Sequence, residues 1–148
     1  MAGASARPVV EECWVLVGGR RGRVWHARRI GRSSGAPAQV EFDGAAALVR
    51  EERRGDVVGF LHTHPGFAAT PSRRDLVTMQ AWVSAFGKPL LCLIRGVDGL
   101  MGYRFDDFRS KGTPLLAVEE FPRGIIVGVD ADGGKVSPRR AVSRARAR

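Results

Sequence analysis

The sequence predicts an α+β domain, close to α/β in its ordering, built on a mixed β-sheet flanked by helices. Three observations carry this expectation. Apolar, strand-like runs at Asp56–His64 and Leu90–Arg95 enclose an amphipathic segment from Ser72 to about Phe86. A second stretch, Gly44–Arg54, has its Ala, Leu and Val residues at helical spacing. Strands and helices nevertheless lack the regular alternation of a doubly wound parallel sheet. At 148 residues, 44% of them hydrophobic, the chain can bury the core of one compact domain.

Taken in order, Val9–Val17 reads as an extended entry into a first strand. Gly18-Gly19-Arg20-Arg21-Gly22 reads as a β-turn; it lacks the Gly-Lys-Ser/Thr ending of a phosphate loop. Arg23–Ile30 forms a second strand, Arg32–Ala38 a loop, and Val40–Phe42 a short strand. The Gly44–Arg54 helix stops at Gly55. Asp56–His64 is nearly continuous in apolar residues, as in a buried central strand. Pro65–Pro71 is a loop. Ser72 then opens a helix with Leu76, Met79, Val83 and Phe86 on one face and Gly87 as its stop. Leu90–Arg95 and Leu100–Phe105 pair as a hairpin around Val97–Gly99, and Ile125–Val129 adds an edge strand.

Composition narrows the function classes. Of 24 basic residues, six lie between Lys135 and Arg148 with no acid among them, and 18 remain against 15 acidic residues. The net charge of +9 is therefore mostly a property of the C-terminal end, and residues 131–148 are expected to be a disordered basic tail behind a domain over 1–130. The two cysteines, Cys13 and Cys92, give no disulfide framework and read as reduced, half-buried thiols. No apolar run approaches a membrane span and the N-terminus lacks a signal core, so a cytoplasmic location is expected.

The chemistry concentrates in Leu61-His62-Thr63-His64 and Ser72-Arg73-Arg74-Asp75. Histidines two apart on a strand project to one face and can converge on one ion. Asp75, in the first turn of the next helix, can fold back over the strand end. Two imidazoles and a carboxylate make three protein ligands and leave a fourth tetrahedral position open, the pattern of a catalytic zinc site. A plainer reading exists for the second segment, since Ser-x-x-Asp before an apolar run is a helix-capping box. The two roles are compatible, because the cap fixes where Asp75 points.

His-Thr-His-Pro, six further residues and then Ser-x-x-Asp is similar to the signature of the JAMM (MPN+) zinc metallopeptidases, over about Val9 to Phe105. The resemblance implies an MPN/JAB-type, cytidine-deaminase-like architecture. It implies one Zn2+ per chain on His62, His64 and Asp75, with Ser72 hydrogen-bonding the developing oxyanion. It implies an upstream glutamate as general base, in a segment often reading Glu-x-Cys-Gly. Glu11-Glu12-Cys13-Trp14 matches with Glu11 in that register; Trp14 replaces the glycine and is expected to crowd the neighbourhood. Glu41 is the next carboxylate in line. Cys13 is read as packing, not as a nucleophile.

The resemblance further implies a substrate amide at the C-terminus of a ubiquitin-like or sulfur-carrier protein, cleaved in deconjugation or precursor maturation. The helix bearing Asp75 runs straight to the Leu90 strand, so the inserted loops of chain-sorting eukaryotic relatives have no room. The chain looks like the small stand-alone bacterial type, which occurs with E1-like and E2-like partners, in some cases in antiviral systems. Neither nucleic acid nor a membrane is an expected partner of such an enzyme. The alternative is an inactive MPN-like scaffold, or a basic module binding nucleic acid or a protein through its tail; inactive relatives typically lose a metal ligand, and this sequence keeps all of them.

Overall fold

The computed structural model describes residues 11–34 and 44–131. The elements run β1 (Glu12–Arg21), β2 (Val24–Ser34), α1 (Gly44–Arg54), β3 (Val57–Thr63), α2 (Arg73–Phe86), β4 (Leu90–Gly96), β5 (Gly99–Phe105), β6 (Thr113–Phe121) and β7 (Ile125–Asp130). Both helices lie where their periodicity and stops predict. Gly55 takes a left-handed φ of 62° and donates its N–H to Glu51 O, closing α1. Gly87 does the same for α2 at φ 68°.

The sheet is mixed, with β3 and β4 its parallel pair and α2 as their crossover. It is also closed, in the order β1-β2-β7-β6-β5-β4-β3 and back to β1. That corrects the cytidine-deaminase-like expectation of an open sheet. Closure comes from the β6–β7 hairpin. β7 pairs with β2 over Val24–Arg28, while β6 meets β5 only at Tyr103 and Arg104. Ile125–Asp130 is therefore an interior strand and not an edge. The sequence hid β6 because its apolar residues do not alternate, Pro114 interrupts it, and Leu116 bulges from the register with β7.

Two boundaries also move. Strand β1 continues through Gly18 and Gly19, and the turn falls at Gly22 (φ 61°) and Arg23. Gly18 pairs with Ala27 within the strand, and only glycine fits there because a Cβ would sit 1.9 Å from His26 O. Strand β2 runs on to Ser34, absorbing Gly31 (φ 52°) where the pairing with β1 shifts register. The expected strand at Val40–Phe42 and the basic tail from residue 132 lie outside the described residues.

The barrel wall separates two cores. Leu16, Trp25, Val58, Leu61, Leu91, Leu93 and Ile126 fill its interior. Val15, Val57, Phe60, Cys92, Ile94 and Phe105 face outward against Ala47 of α1 and Met79 and Val83 of α2. Cys13 and Cys92 are free and fully buried, more so than their position in sequence suggested.

One end of the barrel is closed by charge. The Asp130 carboxylate, with no exposed surface, accepts from Arg104 Nη1 at 2.9 Å and Trp25 Nε1 at 3.1 Å, and pairs with Arg20. Removing one partner of a buried pair leaves the other charged and desolvated. Asp130→Ala is accordingly expected to cost about 3–5 kcal/mol in urea unfolding, against under about 1 kcal/mol for an exposed pair such as Arg95–Glu120.

Candidate metal centre

The site begins with strand alternation at the end of β3. Phe60 packs outward against Trp82 and Phe86 of α2, so His62 and His64 project to that same outer face. His64 N–H donates to Arg95 O at 2.8 Å, carrying the β3–β4 alignment one residue past the strand. The two Nε2 atoms come within 3.1 Å of each other.

Helix α2 supplies the third group. Ser72 is its N-cap: Ser72 Oγ accepts from Asp75 N at 3.1 Å, and Asp75 Oδ2 accepts from Ser72 N at 2.8 Å. This reciprocal cap aims the carboxylate at the histidines, with Oδ2 3.0 Å from His64 Nε2 and Oδ1 3.2 Å from His62 Nε2. The ligating atoms of His62, His64 and Asp75 all lie within 4.8 Å of one another. Their side chains keep 10–15% of their surface.

The donor set suits a metal ion. His64 Nδ1 lies 3.0 Å from Ala68 O, which can only accept, so Nδ1 carries the proton and Nε2 offers its lone pair to the cluster. Burial pushes the Asp75 carboxyl up, but the His62 hydrogen bond and charge, the Ser72 N–H and the His64 charge together bring it down to about 2. Asp75 is therefore an anionic ligand at neutral pH. The cluster could hold a divalent cation, and zinc matches its nitrogen and oxygen donors.

Cys13 pairs with His62 across β1 and β3, which puts Cys13 on the metal-facing side; Glu11 stands immediately before β1. Burial raises the Glu11 carboxyl pKa, while the His62 and His64 charges pull against it; Asp75 raises it further. Glu12 alternates to the opposite side, and its N–H donates to Thr63 Oγ1 at 2.9 Å. Burial pushes the Cys13 thiol up to about 12, helped by Asp75 and Glu11, which makes it a poor nucleophile. Trp14 does not crowd the site. It faces the barrel interior and stacks on the Arg29 guanidinium, 5.0 Å from ring centroid to Cζ. Glu41 lies outside the described residues.

Sequence reasoning missed what holds the loop between the ligands. Ala69 N donates to Asp98 Oδ1 at 2.7 Å, Tyr103 Oη donates to Ala69 O at 2.7 Å, and Val97 N donates to Phe67 O at 2.8 Å. Gly96 lies beneath, where a Cβ would come within 2.4–2.6 Å of the loop backbone. No local pattern announces these contacts, since Asp98 and Tyr103 sit in what reads as an ordinary hairpin.

Residues 1–110 match the family described as prokaryotic homologs of the JAB domain. The chain belongs to that family. No curated protein matches it. The matched residues contain all three cluster members and end before β6, so the hairpin closing this JAB-family barrel lies beyond them. Family and cluster together support a JAMM-type metallohydrolase function in general. Among the described residues, no helix is long and apolar enough to cross a membrane.

The Gly96 contact generates a test. Gly96→Ala must displace the Phe67–Ala69 backbone and with it the Ala68 carbonyl that fixes His64. Metal affinity, measured by chelator competition, should fall about 10–100-fold, as when other supporting hydrogen bonds to metal-bound histidines are lost. Tyr103→Phe, which removes one restraint without a clash, should fall by less.

Proposed function

We propose that this chain is a zinc-dependent peptidase that cleaves an amide at the C-terminus of a ubiquitin-like or sulfur-carrier protein. It would act in the cytoplasm of a bacterium, beside E1-like and E2-like proteins, either releasing the modifier from a target or maturing its precursor. The observation that carries the metallopeptidase reading is the convergence of His62, His64 and Asp75, with Asp75 aimed by its own helix cap. Family membership supports the choice of modifier as substrate class.

In this reading His62, His64 and Asp75 hold the zinc. Bound there, zinc supplies Lewis acidity toward the substrate carbonyl and the attacking water. Glu11 would accept a proton from the attacking water and return it to the leaving amine. Ser72 Oγ already accepts from Asp75 N, which leaves its O–H to donate to the developing oxyanion. The same serine thus orients a ligand through its oxygen and stabilises charge through its proton.

Protein purified without chelators should carry about one zinc, and His62→Ala or Asp75→Ala should lose most of it. A wild-type chain devoid of metal would sink the reading. Glu11→Gln should keep zinc and lose at least about 10²-fold in turnover of a modifier–peptide fusion, the lower end for loss of a general base. Glu12→Gln should be nearly silent, and the reverse result would shift the base by one residue. Ser72→Ala should keep zinc, lose about 10²–10³-fold in turnover, and lose about 1 kcal/mol of stability with its cap.

A further inference from the structure

The outer wall of the barrel is covered unevenly. Helix α1 packs mainly on β3, and α2 on β4 and β5; on the side of β2, β7 and β6 the described helical segment is the single turn Pro122–Gly124, which meets β2. On that side every outward residue of β7 is apolar: Ile125, Val127 and Val129. Ile125 and its cross-strand neighbour Phe121 keep 45% and 42% of their surface, and Leu116 nearby keeps 64%. Scattered exposed side chains need no explanation, but a continuous apolar stripe on a sheet face points to a partner.

We propose that this face is a self-association surface and that its occupant is a second copy of this chain. The reason is self-complementarity. Glu119 on β6 and His26 on β2 both pair with Val127, so they stand level on opposite sides of the β7 stripe. Phe121 and Arg28 stand level in the same way on either side of Ile125. A two-fold axis running along β7 in the plane of the contact exchanges left and right and keeps each level. It sets Glu119 of one copy against His26 of the other. It also sets Phe121 against the partner's Arg28.

The shape agrees with the charges. Beside Arg28 the wall holds a hollow of about 250 Å³, between Gly18, His26, Asp56 and Ile125. Phe121, a large ring on the other flank of the stripe, is carried by the same two-fold onto that hollow, where the guanidinium can stack on it. One operation therefore matches apolar stripe to apolar stripe, knob to hollow and acid to base, as an isologous contact requires. Sheets packed face to face in this way keep their strands within about 30° of parallel. The metal cluster, on the helix-covered side, stays open in both copies.

Sedimentation equilibrium of the full chain from about 1 to 200 µM, a range that captures the affinities of small interfaces, should show a monomer–dimer equilibrium. Phe121→Lys puts a cation into the hollow beside the partner's Arg28 and should weaken the dimer by at least about 30-fold, as loss of an aromatic seated in a pocket does. Glu119→Arg should weaken it as well, and Glu119→Arg combined with His26→Glu should restore it, with far-UV circular dichroism showing each variant folded. Rescue by exchange of the pair is a result that general surface stickiness cannot produce. A wild type that stays monomeric throughout, or a dimer indifferent to Phe121→Lys, overturns the proposal. So does dimerisation that appears only after deletion of residues 132–148, since the chain's own C-terminus would then be the occupant.

Discussion

Strand periodicity at the end of β3 is the constraint on which the candidate site depends. Side chains alternate across a strand, so His62 and His64 must share a face whatever else the chain does. The β1–β3 pairing then passes that face to the neighbouring strand, where Cys13 stands opposite His62. Thr63, between the histidines, points the other way and holds the Glu12 N–H. A slip of one residue in this register would turn Cys13 to the barrel interior and bring Glu12 to the metal side. The site is thus as well defined as the pairing of two strands.

The remaining parts of the centre are held by short-range hydrogen bonds that each serve two ends. The N-cap of α2 satisfies exposed helix N–H groups and in the same contacts aims the Asp75 carboxylate. The Ala68 carbonyl accepts from His64 and so selects the ring nitrogen that faces the cluster. Asp98 and Tyr103 on the β4–β5 hairpin hold the neighbouring Ala69 in place. Stability of the loop and readiness of the ligands are one property here, because loosening the loop frees the histidine.

The barrel divides its labour between its faces. Inside, an apolar middle lies between the Asp130 cluster and the Arg29–Glu120–Arg95 ion pairs, and the outer wall bears the metal cluster where the helices pack. Closure depends on β6 and β7, which lie beyond the residues matching the family. Covering the edges of β2 and β5 with the chain's own hairpin removes two templates for strand addition. It also creates a second outer face with an apolar stripe, away from the main packing of α1 and α2.

What the sequence determined by itself was local. The spacing of His62, His64, Ser72 and Asp75, the helix stops at Gly55 and Gly87, and the strands bearing the ligands follow from periodicities of two and 3.6 and from capping chemistry. These rules act over a few residues, so they are legible in one chain read once. The tertiary structure decided what depends on partners far away in sequence. It turned Trp14 inward onto Arg29, found a buried role for Asp130, and set Asp98 and Tyr103 against the ligand loop. It also made β6 a strand despite its poor pattern and closed the sheet into a barrel. Those outcomes are pairings across the molecule, fixed by which surfaces remain to be satisfied once the local elements have formed, and no window of sequence contains both halves of any of them.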